Sequence, residues 1–77
     1  MNLDEIVQYV NEQSIRGDLA REFVGIISDY QAGSISANDK EQLVNEILGA
    51  YQANGLAEDE NLMRWAVSAA KIAASVV

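Results

Sequence analysis

Apolar residues recur along this chain at the spacing of an α-helix. Leu19, Phe23, Ile26, Ile27 and Tyr30 fall at i, i+4, i+7, i+8 and i+11, which places them on one helical face. No stretch alternates apolar and polar residues as a half-buried strand does, and the chain contains no proline. The sequence therefore predicts an all-α fold, a small bundle of about four short helices joined by tight Gly/Ser/Asn turns.

Capping residues indicate where these helices begin and end. Asn2 can cap the first helix, Gly17 followed by Asp18 indicates a stop and a new start, and Ser36 can cap the third helix. Gly33 can end the second helix in the left-handed conformation. The prediction is one domain over residues 1–77, with helices over residues 3–13, 19–32, 37–53 and 58–76.

The packing of the middle helices can also be predicted. The third helix is expected to bury an apolar stripe made of Leu43, Val44, Ile47, Leu48 and Tyr51. Gly25 and Gly49 lie inside helices, where each costs about 1 kcal/mol relative to alanine. Close approach of another helix, supplied by the alanines of the fourth, is the simplest compensation for that cost.

The fourth helix is apolar over most of its circumference. From residue 62 onward only Arg64, Ser68, Lys71 and Ser75 are polar, and their spacing places them in one narrow stripe. Such a helix must be buried on several sides. Either it is the central helix of its own bundle or part of its surface contacts another chain. The candidate interface residues are Met63, Trp65, Ala66, Ala69, Ala70, Ile72, Ala73 and Val76.

Charge restricts the class of partner. The chain carries 12 acidic and 5 basic residues, a net charge of -7, which argues against binding a nucleic-acid backbone. The N-terminus does not resemble a signal peptide, and no run approaches the roughly 18 apolar residues of a membrane span. We expect neither a nucleic-acid nor a membrane partner, and a location in the cytoplasm or within an assembled particle such as a virion.

Side chains that carry chemistry are scarce. The chain has no cysteine and no histidine, which removes the usual zinc ligands and the usual nucleophile and base pairs. The spacing of residues from Gly33 to Asp39 matches the second half of an EF-hand calcium loop. In the first half, Ser28, Tyr30 and Ala32 fall at positions where calcium needs side-chain oxygen ligands, preferably carboxylates. We predict no catalytic, cofactor-binding or metal-binding residues, and no enzyme activity.

One segment resembles a known type of unit. The run from Phe23 to Ser36, with the helix that follows it to residue 48, resembles the helix, Gly-x-Ile-Ser turn, helix units of many small bacteriophage proteins and short C-terminal interaction modules. The resemblance implies a phage-encoded origin. Short acidic helical proteins of that kind serve in particles or bind host machinery.

Two functions follow as expectations. The first is a non-enzymatic protein–protein interaction or assembly module, a phage structural component, that uses the apolar fourth helix for a protein partner or for a homo-oligomer. The alternative is an acidic inhibitor that imitates nucleic acid and occupies a basic groove on a host or defence enzyme. Its acidic surface would consist of Asp4, Glu12, Glu41, Glu46, Glu58, Asp59 and Glu60.

Overall fold

The fold was obtained as a computed structural model that describes residues 2–53 and 60–77. These residues form four α-helices: α1 (Leu3–Val7), α2 (Ile15–Gln31), α3 (Ala37–Ala53) and α4 (Glu60–Ser75). The predicted all-α fold is confirmed, and the described residues contain no strand. Within the same residues, no helix has both the length and the apolar run that crossing a membrane requires.

The first helix is shorter than predicted. Asn2 caps it as expected, but after α1 the backbone amides of Tyr9 and Val10 donate to carbonyls three residues back, at 3.1 and 3.2 Å, instead of four. The guanidinium of Arg21 donates to the carbonyls of Val10 and Glu12, at 2.7 and 3.2 Å. The predicted end at residue 13 is wrong. The Arg21 side chain of α2 donates to carbonyls to which the amides of further helical turns would otherwise have donated.

The second helix starts earlier than predicted. Ser14, not Asp18, is its N-cap, and the Ser14 hydroxyl accepts a hydrogen bond from the Gly17 amide at 3.0 Å. Gly17 therefore lies inside the first turn instead of stopping a helix. A Cβ at this position would lie 1.8 Å from the carbonyl oxygen of Glu12, so the residue must be glycine for the preceding turn to approach so closely.

The turn between α2 and α3 was predicted well. Gly33 has φ of 80°, as its left-handed role requires, although α2 ends one residue before the predicted position, at Gln31. Ser36 and Asp39 cap α3 reciprocally, since each side chain accepts from the backbone amide of the other, at 3.1 and 3.3 Å. The predicted bounds of α3 are confirmed.

Helices α2 and α4 form the centre of the bundle. Each contacts all three other helices, whereas α1 and α3 do not contact one another. The largest fully buried side chains are Phe23, Ile6 and Val44. The alanines of α4 are small, which lets three neighbours pack around that helix. Helix α4 ends at Ser75, one residue before the predicted end at residue 76, and its predicted start at residue 58 lies outside the described residues.

One flank of α3 remains open. Val44 and Tyr51 are buried, as predicted, and Ile47 and Leu48 are half-buried. Leu43 was predicted to be buried but is 37% exposed. Because α3 packs only against α2 and α4, the edge of its apolar stripe stays in contact with solvent.

A buried lysine links α3 to the end of α4. Lys40 is only 2% exposed, and its ammonium group donates to the carbonyl of Val76 and lies 4.4 Å from the ring centroid of Tyr30. The carbonyl acceptor and the aromatic face replace part of the hydration that the buried charge loses. Nothing in the sequence spacing indicated this contact, since the two partners lie 36 residues apart.

The two mid-helix glycines have no neighbour that explains them. Gly25 and Gly49 are exposed, and a Cβ added at either would meet nothing within 4 Å, so the predicted close approach of another helix is wrong. We expect Gly25→Ala and Gly49→Ala each to raise the free energy of unfolding by about 0.5–1 kcal/mol. Urea denaturation followed by circular dichroism measures this, and a decrease in either variant would reveal a contact at that face.

Candidate functional site

The candidate interface residues of α4 lie inside or against the protein's own core. Ala66, Ala69, Ala70 and Ala73 are between 0 and 4% exposed. The other members of the set are half-buried, namely Met63, Trp65, Ile72 and Val76. None of the eight is exposed, so the apolar circumference of α4 is covered largely by α1, α2 and α3.

Trp65 on α4 packs against Tyr9 in the turn after α1. Its ring meets Tyr9 edge to face, with 5.6 Å between centroids and 88° between planes. The Arg16 guanidinium lies 4.1 Å from the centroid of the Tyr9 ring. The indole Nε1 is buried and has no hydrogen-bond partner in the part of the chain that the structure describes. In this arrangement Trp65 stabilises the fold instead of presenting a free aromatic surface.

Arg16 also holds the carboxylate of Glu12. Its Nη2 and Nε donate to the two carboxylate oxygens at 3.1 and 3.3 Å. These hydrogen bonds hold the pKa of Glu12 below its ordinary value, because they stabilise the charged form. The pair is partly solvated.

The shifted pKa of Glu12 gives a testable pH dependence. The folded-state pKa is lowered, so the stabilising contribution is present above the ordinary carboxyl range and is lost as the pH falls through the folded-state pKa. We expect Arg16→Gln to return the pKa of Glu12 towards its ordinary value in an NMR titration of the side-chain carboxyl carbon. An unchanged midpoint in that variant would show that Arg16 is not the cause.

The acidic residues proposed for mimicry that the structure describes are spread over separate elements. Asp4, Glu41 and Glu46 are exposed and take part in no ion pair among residues 2–53 and 60–77. Asp4 lies on α1 and the other two on α3, and these helices do not touch. Of the remaining members, Glu12 and Glu60 are paired with Arg16 and Arg64, while Glu58 and Asp59 lie outside the described residues.

An open groove runs between the first turns of α2 and the last turns of α3. Its volume is about 630 Å³. Leu19 and Tyr51 are buried at its base, Ile47 is half-buried, and Ile15 is 38% exposed at one end. The residues that line it are Ile15, Asp18, Leu19, Arg21, Glu22, Ile47, Ala50 and Tyr51. Its floor is therefore apolar and its charged residues stand at the rim.

The charged residues at the rim differ in whether they already have hydrogen-bond or ion-pair partners within the protein. Arg21 is occupied, because its guanidinium donates to the carbonyls of Val10 and Glu12 and to the carboxylate of Asp18. Glu22 is exposed and belongs to no ion pair within the described residues. The rim therefore presents carboxylate charge to a ligand and offers no cation that is free to oppose it.

The chain matches no protein-family model, no curated protein and no solved structure. Within the residues that the structure describes, no three acidic side chains come together in a group that could hold a metal ion. Sequence spacing did not single out the groove between α2 and α3.

Proposed function

We propose that this protein is a non-enzymatic protein-interaction module that binds a partner in the groove between α2 and α3. The observation that supports the proposal is the groove itself, about 630 Å³ with an apolar floor and a charged rim. An apolar centre surrounded by polar residues is the usual anatomy of a protein interface.

The proposed surface differs from the one that the sequence suggested. A partner could reach Ala66, Ala69 or Ala73 only if α4 left the bundle, because these side chains are fully buried. The groove needs no such rearrangement. A homo-oligomer remains within the proposal, since the groove of one copy can receive an apolar element of another. The resemblance of residues 23–48 to phage proteins stays a prediction, and it adds that the partner belongs to a phage particle or to host machinery.

A second candidate function is acidic mimicry of nucleic acid. One observation favours it: three of the five cations, Arg16, Arg21 and Arg64, are in ion pairs with carboxylates of the same chain, and Lys40 is buried. Lys71 is the cation that the described residues leave exposed without an ion pair. The charge that the surface presents to a partner therefore comes almost entirely from carboxylates, in line with the net charge of -7.

One capture experiment separates the two functions. Ala50 is exposed and lines the groove, so Ala50→Glu places a charge there without disturbing the core. Ala50→Gln controls for size, and Gln42→Glu adds the same charge on an exposed position of α3 outside the groove. Tagged proteins would be used to capture partners from an extract of the cells in which the protein is made, after circular dichroism has shown that all variants fold.

A groove-binding partner is expected to be retained by the wild type, by Gln42→Glu and in part by Ala50→Gln, and to be lost from Ala50→Glu. A target of acidic mimicry is expected to be retained by every variant and to be released as salt is raised, because its binding is electrostatic. Equal retention by all four proteins at high salt would refute the groove as the binding surface.

A further inference from the structure

Helix α4 ends without the residues that usually complete the end of a helix. The last carbonyls of a helix have no partner within it, and a following glycine or a basic residue in the last turn commonly satisfies them. The last turn of α4 contains no basic residue, and the helix is followed by Val76 and Val77. The Ser75 hydroxyl donates to the carbonyl of Ile72 at 3.0 Å, inside the helix. A donor from another helix can therefore stabilise this end.

That donor is Lys40 of α3. Its ammonium group donates to the carbonyl of Val76, where the negative end of the α4 dipole favours a cation. The remaining surroundings oppose a charge, because Lys40 is 2% exposed and lies near the start of α3, the positive end of that helix. It belongs to no ion pair within residues 2–53 and 60–77, and the Tyr30 ring supplies a weaker attraction. In this position Lys40 gains the Val76 hydrogen bond but loses hydration.

Few contacts hold the segment that follows Ala73. Ala73 is fully buried and anchors α4 in the core. Beyond it, no side chain from residue 74 to 77 is buried, and Val77 is fully exposed. The hydrogen bond between Lys40 and Val76 joins this segment to α3. Release of residues 74–77 would therefore hydrate the ammonium group while the core stays packed.

We propose that residues 74–77, at the end of α4, form a releasable segment that Lys40 holds against α3 and that opens and closes while the rest of the bundle stays folded. Neither Lys40 nor Val76 lines the groove between α2 and α3, so the proposal does not depend on the proposed function. In the closed state the amine of Lys40 is buried. In the open state the amine and the inner side of the segment reach solvent, so the two states differ in whether a reagent or a partner can contact them.

The two lysines of the chain allow a test on the unmodified protein. Lys71 lies on α4 and is exposed, so it reports how fast an accessible amine reacts. The folded protein is treated briefly with the N-hydroxysuccinimide ester of acetic acid, and mass spectrometry measures acetylation at Lys40 and at Lys71. Each rate is divided by the rate of the same lysine in the unfolded protein, which removes differences in intrinsic reactivity. The series is repeated at guanidinium chloride concentrations below the unfolding transition.

Lys40 is expected to react roughly tenfold or more slowly than Lys71, yet faster than global unfolding permits. Its rate should rise only weakly with denaturant, because release of residues 74–77 exposes little surface. Reaction of Lys40 as fast as Lys71 would overturn the proposal, since no closed state would then protect the amine. Protection equal to that given by global unfolding, with the same dependence on denaturant, would overturn it too, because Lys40 would then be reached only when the whole chain unfolds.

A pair of variants tests the role of the ammonium group. Lys40→Met keeps an unbranched apolar side chain and removes the charge, and Lys71→Met makes the same replacement at an exposed position of α4. NMR measures hydrogen exchange of the amides in the last turn of α4 and of the core residues Phe23 and Val44. Lys40→Met should accelerate exchange in the last turn by roughly tenfold and in the core by less, whereas Lys71→Met should change neither.

The exchange data can contradict the proposal in three ways. Unchanged exchange in the last turn of Lys40→Met would show that the ammonium group does not hold it. Equal acceleration in the last turn and in the core would show that Lys40 stabilises the bundle as a whole and not one segment. A Lys40→Met protein that fails to fold would lead to the same conclusion.

Discussion

Replacing Gly17 with alanine is expected to lower the free energy of unfolding by about 3 kcal/mol or more, a large part of what a domain of this size possesses. The added Cβ would lie 1.8 Å from the carbonyl oxygen of Glu12 and 2.8 Å from its carbonyl carbon. Both atoms belong to the backbone, so no side chain can rotate away. The turn before α2 must move, and with it the carbonyls of Val10 and Glu12 that Arg21 holds.

The same substitution elsewhere in α2 provides the control. Gly25 lies in the same helix, is exposed and has nothing within 4 Å of an added Cβ, so Gly25→Ala removes backbone entropy without a clash. The two variants should shift the midpoint of urea denaturation in opposite directions. A Gly17→Ala protein as stable as the wild type would mean that the turn after α1 does not pack against α2 in the way described.

Replacing Ala73 with glutamate is expected to unfold the single chain. Ala73 is fully buried in the core between α4 and its neighbours, where an unpaired carboxylate costs about 3–5 kcal/mol. Loss of helical circular dichroism at neutral pH measures the effect. Partial recovery at low pH is expected, because protonation removes the charge that the core cannot accommodate.

An exposed position on α4 serves as the comparison. Lys71→Glu changes the net charge by more than Ala73→Glu does, but Lys71 faces solvent and its replacement should alter stability by no more than about 0.5 kcal/mol. Had the alanines of α4 formed an interface between chains, Ala73→Glu would dissociate an oligomer into folded monomers. Light scattering of a folded Ala73→Glu monomer would therefore contradict the placement of α4 at the centre of the bundle.

Local signals in the sequence predicted the fold class and the ends of α3. Gly33 and the reciprocal cap of Ser36 and Asp39 act through neighbouring residues, so spacing alone identifies them. The segment between α1 and α2 behaves differently. Its structure depends on the hydrogen bonds of Arg21 and on the close approach of Gly17 to the Glu12 carbonyl. These contacts form only because α2 folds back against the preceding turn. The spacing of apolar and capping residues does not encode them.

Helical periodicity cannot tell whether the apolar surface of α4 is buried within its own chain or against a partner, and the predicted site depended on that distinction. An apolar circumference shows that α4 is buried, but the same pattern fits burial by its own chain and burial by a partner. The structure places α4 against all three other helices, and the open apolar surface lies instead at the edge of the stripes of α2 and α3. The exposure of Ile15 and of Leu43 marks the edges of these stripes, and it follows from which helices flank α2 and α3, not from their sequences.

The central claim is that one chain encloses α4 by itself and leaves the α2–α3 groove as the surface for a partner. Urea denaturation at two protein concentrations that differ about hundredfold tests it most directly, because the stability of a chain that folds alone does not depend on concentration. The Ala50→Glu variant is used so that self-association through the groove does not contribute. The account predicts the same midpoint at both concentrations. A rise in apparent stability approaching about 2.7 kcal/mol at the higher concentration would show that α4 is buried by a second chain and would contradict the account.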